Sequence, residues 1–441
     1  MSLGSAAASG EAGGGDASVR AAKALIETIL SRDYAAAEAR LSDQLKGALD
    51  AQGGLQALID AMLDSTGALT GLGEAHMTRA MDMDVVTTEA VFERGAYKII
   101  IALDGEGVAQ SLLFQSDTQT PEEPVPEGVT AEEVTVDAGT GYPLGGTLTF
   151  PEAARGKLPE AGPLPAVLLV WGSGPNGRDE AVGGNRVFAQ LAHALAERGI
   201  AALRFDKRVV TYPEAAGRPD FSVKQEYIED VLAATRLLAA DPRVDPERVF
   251  ILGHSQGGML APRFVEEGAD VNGLILLAGS PRTLTDILYD QQMDALGAAA
   301  DDPAARKPYN DMRAEAEAVY QGTEEQALAH PPLYGGAMSA YYLYEMQKHD
   351  PIALLTGQQT KVLVLQGDND KQVLTEADYG RYRAALEGQP YAQLKLYPGL
   401  NHLFMPSEAQ NLAEAMREYN TPARIPDEVL SDIAAFVKGQ T

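Results

Sequence analysis

At 441 residues the chain exceeds one average domain, and two or three are expected. Its 63 acidic against 35 basic residues leave a formal net charge of −28, which argues against nucleic acid and anionic membranes as partners, since both demand a basic surface. No cysteine is present, which excludes disulfides, thiolate metal sites and cysteine nucleophiles, and no run of about 18 apolar residues is available to cross a bilayer.

Met1–Asp16 is rich in Gly, Ala and Ser and has neither a basic n-region nor an apolar h-region, so residues 1–17 read as a linker rather than a signal peptide. Ahead of a folded module it resembles the tether left where a leader has been replaced. The expectation is a secreted or surface-tethered bacterial protein, with a frayed cytoplasmic N-terminus as the other reading.

Residues 18–116 form the first module. Val19–Leu30 and Tyr34–Leu49 carry apolar residues at helical spacing, and Gly53–Met62 repeats the pattern. Strand-like stretches follow at Ala75–Met83, Val85–Arg94, Tyr97–Leu103 and Val108–Phe114, with turns at Arg94-Gly95 and Asp104-Gly105. Helices before a meander of strands predict an α+β module with helices on one face of a curved antiparallel sheet. The phrase Ser31-Arg32-Asp33-Tyr34-Ala35-Ala36-Ala37 with Leu41-Ser42 resembles cystatin-like and nuclear-transport-factor-like domains. Its lone His76 fits a structural role, and the module reads as an interaction or homodimerisation element, or else as a ligand-binding cone.

Residues 117–130 hold Pro121, Pro124 and Pro126 among acids and read as an extended linker. From residue 131 onward strands alternate with helices, which specifies an α/β fold with a mostly parallel sheet and right-handed crossovers. Glu132–Val136 and Leu144–Phe150 read as a hairpin, and Ala166–Val170 as a parallel strand covered on both faces. Helices are expected at Val187–Arg198, Glu226–Leu238 and Asp427–Val437, and further strands at Ile200–Phe205, Gly273–Ala278, Lys361–Gln366 and Leu394–Tyr397.

The strand Arg248–Leu252 runs into Gly253-His254-Ser255-Gln256-Gly257, a G-x-S-x-G pentapeptide that opens a helix. Such a turn lifts a serine hydroxyl clear of the sheet as a nucleophile. A serine hydroxyl needs a base, and the base needs a carboxylate to fix its tautomer. Of the histidines after Ser255, His402 sits just past the last strand, whereas His330 and His349 fall in helical stretches outside the sheet. The acid lies on Gly367-Asp368-Asn369-Asp370, where Asp370 has the better spacing and Asp368 suits a turn cap. Oxyanion donors are expected from the backbone N–H of Gln256 and, in the loop Trp171-Gly172-Ser173-Gly174-Pro175, of Ser173.

These residues resemble the α/β-hydrolase superfamily. More narrowly, Gly172–Glu180, Gly184-Asn185, Arg204-Phe205-Asp206-Lys207-Arg208 and the elbow ending in Ala261-Pro262 resemble a bacterial esterase group related to dienelactone hydrolases and prolyl-oligopeptidase-type acyl hydrolases. The resemblance covers the chain from about Glu132 to its end and implies serine-dependent hydrolysis of a small-molecule carboxylic ester, with no metal and no cofactor. In that group the residue before Gly172 is usually histidine; here Trp171 is expected to reshape the pocket wall. Val209-Val210 replaces the glycine-rich continuation.

Between strands, residues 281–357 read as a helical cap, with helices at Leu284–Leu296 and Asn310–Tyr320. Tyr341 and Tyr342, in a tyrosine-rich segment, are candidate substrate contacts, or equally cap core. Peptide or amide hydrolysis and acyl transfer are the rival activities. A non-catalytic binding protein is disfavoured, because nucleophile and base candidates are both present.

Overall fold

The computed structural model describes residues 12–50, 54–80, 83–93, 95–116, 122–334 and 338–440. The chain divides into two compact units, Met1–Gln119 and Thr120–Thr441. Residues 1–11 of the expected leading linker, the turn residue Arg94, and residues 117–121 of the expected Pro-rich linker lie outside the described residues.

In the first unit, α1 (Ala12–Leu30) begins inside the expected linker. Its Ala22, Leu25, Ile26 and Ile29 are buried, three and four residues apart, so one stripe of the helix faces the core. Helices α2 (Tyr34–Glu38), α3 (Asp43–Asp50) and α4 (Gly54–Thr66) follow, then strands β1 (Leu69–Ala80), β2 (Met83–Phe92), β3 (Gly95–Leu103) and β4 (Ala109–Ser116) in a sheet of that order. All neighbours are antiparallel. The single helix expected over Tyr34–Leu49 is interrupted at Leu41, which bridges Ala109. Ser42 N–H donates to Ala109 O and Ala109 N–H to Arg40 O, both at 2.9 Å, so pairing with the sheet replaces the helical bonds there.

The second unit contains β5 (Val129–Val136), β6 (Leu144–Pro151), β7 (Leu164–Val170), α5 (Val187–Glu197), β8 (Ala201–Phe205), α6 (Glu229–Ala239), β9 (Val244–His254), α7 (Gln256–Glu266) and β10 (Gly273–Leu277). After a helical insertion come β11 (Lys361–Gly367), β12 (Ala392–Tyr397) and a last long helix, Asp427–Lys438. The sheet runs β5-β6-β8-β7-β9-β10-β11-β12. β6 is antiparallel to both its neighbours, and the strands from β8 to β12 are parallel. This is the α/β-hydrolase arrangement that the family resemblance implied, built on the mostly parallel sheet expected from the alternating strands and helices. The apolar runs of β7, β9, β10 and β11 are buried on both faces because helices cover both sides.

The insertion lies between β10 and β11 and consists of helices at Leu284–Leu296, Pro303–Gln321, Glu324–Ala329, Ala340–Met346 and Pro351–Gln358. The helix expected over Glu226–Leu238 opens as a π-helical turn, Lys224–Ile228, before α6. That turn buries Glu226, Tyr227 and Ile228 together, a local widening of the helix that recurs at functional sites.

On α5, His193 is 3% exposed, and neither ring nitrogen has a hydrogen-bond partner. Burial, reinforced by the nearby Arg204 cation, pushes its pKa down from 6.5 to about 4. The folded state therefore binds the proton more weakly than the unfolded chain, and this contribution to stability is lost as pH falls from about 6.5 toward about 4. The urea midpoint is expected to drop between neutral pH and about pH 5, and a His193→Leu variant to lose part of that drop. Identical pH dependence in the two proteins would refute this assignment.

Candidate active site

The site is assembled from loops at the carboxyl ends of β7, β9 and β11 and the loop after β12. Ser255 stands between β9 and α7 with φ 53° and ψ −116°, a left-handed φ that a side chain adopts only when its surroundings enforce it. The enforcement is visible in two glycines. A Cβ on Gly253 would lie 2.2 Å from Gly257 O, and one on Gly257 would lie 2.4 Å from Val170 O. Strand, turn and helix thus approach too closely for any other residue. Ser255 N–H donates to Leu277 O at 2.9 Å, which fastens the turn to β10. The half-buried Ser255 faces the loop after β7: a Cβ on Gly172 would be 3.5 Å from Ser255 Oγ.

His402 and Asp370 are both almost fully buried. His402 Nδ1–H donates to Asp370 Oδ2 at 2.7 Å, leaving Nε2 as the ring nitrogen able to take a proton. Asp370 Oδ2 also accepts from Gln366 Nε2 at 2.9 Å. Its Oδ1 accepts from the backbone N–H groups of Gln372 and Val373 at 2.8 and 3.0 Å. Asp368 instead ties the two loops together, its Oδ1 accepting from Gly399 N–H at 2.6 Å. Asn369 N–H donates to Leu400 O at 3.0 Å. The elbow meets the His402 loop through His254, whose ring lies 4.7 Å from that of His402 and whose Nε2 is 2.9 Å from His402 O.

The loop after β7 is held from three directions. Gly172 N–H donates to Glu180 Oε1 at 2.7 Å, so this amide is occupied, whereas the next residue, Ser173, is exposed. Lys207, fully buried, donates from Nζ to Gly172 O at 3.1 Å and Gly174 O at 3.0 Å, on either side of Ser173. The same ammonium pairs with Glu226 Oε1 at 2.7 Å and donates to the Tyr227 hydroxyl at 2.9 Å. Farther along, Arg178 forks onto Asp206 at 2.9 and 2.7 Å, while Arg204 Nε donates to Asp179 at 2.7 Å. The two charged motifs of the sequence are therefore reciprocal clamps, joining the loop after β7 to the end of β8 by charge-assisted bonds.

Gln256 occupies the first position of α7, where a backbone N–H has no intrahelical acceptor. Its side chain is fixed separately. Nε2 donates to the Tyr342 hydroxyl at 2.9 Å, and that hydroxyl donates to Glu226 Oε2 at 2.7 Å. Burial, with the Glu226 charge beside it, keeps the Tyr342 hydroxyl protonated far above its ordinary range.

The expectation for Trp171 changes here, while the two tyrosines fall on the cap-core side of their alternatives. Trp171 is not a pocket wall: it is fully buried, donates Nε1–H to Phe205 O at 2.7 Å, and packs on Phe205 and Tyr227. Tyr342 belongs to a buried hydrogen-bond network rather than an open surface. Tyr341, one residue earlier on the helix, turns to Glu324, donating its hydroxyl at 3.2 Å. The sequence reading passed over the roles of Glu180, Lys207, Glu226, Tyr227 and His254. Its usable signal was the charged run Arg204-Phe205-Asp206-Lys207-Arg208 at the end of an otherwise apolar strand.

Among the described residues no group of His, Asp and Glu is arranged to hold a metal ion, and no helix is long and apolar enough to cross a membrane. Esterase EstD of Thermotoga maritima is 30% identical over 345 residues, covering 77% of this chain and 76% of its own. Among solved structures, Est1E from Butyrivibrio proteoclasticus matches at 19% identity and a TM-score of 0.41, over 68% of this chain and 99% of that one. The Pyrococcus furiosus esterase Pf2001 matches at 14% identity and a TM-score of 0.44, over 73% and 97%. A family model described as Hydrolase_4, serine aminopeptidase S33, matches residues 183–410. The chain is a hydrolase and belongs to this serine aminopeptidase S33 family.

Proposed function

We propose that the protein is a serine carboxylesterase acting through an acyl-enzyme. His402 Nε2 takes the Ser255 Oγ proton as Oγ attacks the ester carbonyl, and Asp370 fixes the tautomer and stabilises the imidazolium. The backbone N–H groups of Ser173 and Gln256 receive the oxyanion. Collapse breaks the ester C–O bond, and the departing alkoxide takes the proton from His402. Water then attacks the acyl-serine, giving its proton to His402; the acid leaves and Ser255 Oγ recovers its proton. The observation that carries this reading is the 2.7 Å bond from His402 Nδ1 to Asp370 Oδ2, in a loop that meets the elbow of Ser255, held at φ 53°, through the 2.9 Å contact of His254 with His402 O.

The family's description raises the aminopeptidase reading. A substrate's free α-amine calls for an uncommitted carboxylate near the nucleophile. The buried acids close to the elbow are already engaged, Glu180 with His254 and Glu226 with Lys207. The relationship to esterase EstD points the same way. Purified protein is expected to hydrolyse p-nitrophenyl esters with kcat/KM well above that for aminoacyl p-nitroanilides. Faster anilide turnover would reverse the assignment.

A further inference from the structure

We propose that Glu180 and His254 form a buried, proton-bridged positioning pair that holds the oxyanion loop, the nucleophile elbow and the base loop in one register. The proposal rests on the triad reading above. Its geometry is independent of that reading.

Glu180, in the loop after β7, and His254, the last residue of β9, are 1% and 3% exposed and 74 residues apart. Glu180 Oε1 accepts from Gly172 N–H at 2.7 Å, the amide next to that of Ser173. The same oxygen lies 2.9 Å from His254 Nδ1. His254 immediately precedes Ser255, and its Nε2 lies 2.9 Å from His402 O. Two side chains thus touch all three loops whose mutual placement the reaction requires.

The protonation of the pair follows from its partners. A backbone carbonyl only accepts, so His254 Nε2 carries a hydrogen and donates to His402 O. The contact between Nδ1 and Oε1 then needs a proton of its own; without it two lone pairs face each other. Glu180 Oε2 has no hydrogen-bond partner, so the carboxylate depends on Gly172 N–H and on that proton. Burial opposes charge on His254, but the Glu180 carboxylate and its hydrogen bond outweigh it, with the His402 carbonyl and the Asp370 charge adding to them. The His254 pKa therefore stands above its ordinary value. A raised folded-state pKa means that the pair is intact at lower pH and is lost as pH rises through that value.

Activity should accordingly carry an alkaline limb that reports His254. In Glu180→Gln, the amide oxygen can accept from both Gly172 N–H and His254 Nδ1–H while His254 Nε2 still donates to His402 O only if His254 stays charged, now without its counter-charge. The alkaline limb of kcat is expected to move to lower pH, with kcat near neutrality falling about 10²-fold, as for a small misplacement of reacting groups, and KM little changed. Glu180→Asp, which keeps the charge, should leave the limb nearer its wild-type position. A purely structural role for Glu180 would lower the melting temperature and leave the limb in place, and that result would overturn the proposal. Should Glu180→Gln fail to fold, ¹⁵N-histidine NMR of the wild type decides. An imidazole with both ring nitrogens protonated at neutral pH, absent from His254→Asn, is expected; a singly protonated His254 contradicts it. Ester hydrolysis that survives Ser255→Ala overturns the triad and the pair together, whereas Ser255-dependent activity with an unmoved limb overturns the pair alone.

Discussion

Ser255→Ala is expected to lower kcat for ester hydrolysis by about 10⁶-fold, the scale on which removing a serine nucleophile disables an acyl-enzyme mechanism. The substitution isolates the chemistry. Alanine keeps the Cβ that rests against Gly172, and the constraint on φ comes from Gly253 and Gly257 rather than from the hydroxyl. The fold should therefore survive, with an unchanged urea midpoint as the control. Residual turnover should still exceed the uncatalysed rate, because the amides proposed to receive the oxyanion remain. Pre-steady-state kinetics on p-nitrophenyl acetate should show a burst in the wild type and none in the variant.

Asp370→Asn should be the next most damaging change, lowering kcat by about 10⁴-fold with a nearly intact fold. Oδ1 faces two backbone N–H donors, so an asparagine would keep its carbonyl oxygen there and place its amide nitrogen at the position of Oδ2. That nitrogen would donate to His402 Nδ1, shifting the ring hydrogen to Nε2, the atom needed to take the serine proton. It would also confront Gln366 Nε2, which now donates to Oδ2. The damage is thus to the tautomer first and to stability second. Asp368→Asn, by comparison, touches the turn at Gly399 and should cost far less activity. Similar losses from both substitutions would contradict the assignment of the acid.

The parts legible in the sequence were those governed by local patterning. Apolar runs at β7, β9, β10 and β11 read as parallel strands because strands buried on both faces carry no polar alternation. The glycines around Ser255 were legible because only backbone contact demands them. What escaped was set by side-chain direction and distant partners. Trp171 follows a strand and begins the loop of interest, but Phe205 and Tyr227, far along the chain, enclose its ring. Tyr341 and Tyr342 are neighbours in sequence yet about 100° apart around a helix, so one reaches Gln256 and the other Glu324. Glu180 and His254 were in plain view as motif residues. Their relation appears only when the sheet brings together positions 74 residues apart. In the first unit, the break at Leu41 follows from the bridge to Ala109, which helical periodicity cannot register.

Covalent labelling tests the proposed nucleophile most directly. Protein treated with a fluorophosphonate and digested should yield a single modified peptide bearing the adduct on Ser255, with ester hydrolysis lost in proportion to labelling. Ser255→Ala should take up no label. An adduct on another serine that accounts for the lost activity, or full hydrolysis by a completely labelled protein, would contradict the mechanism.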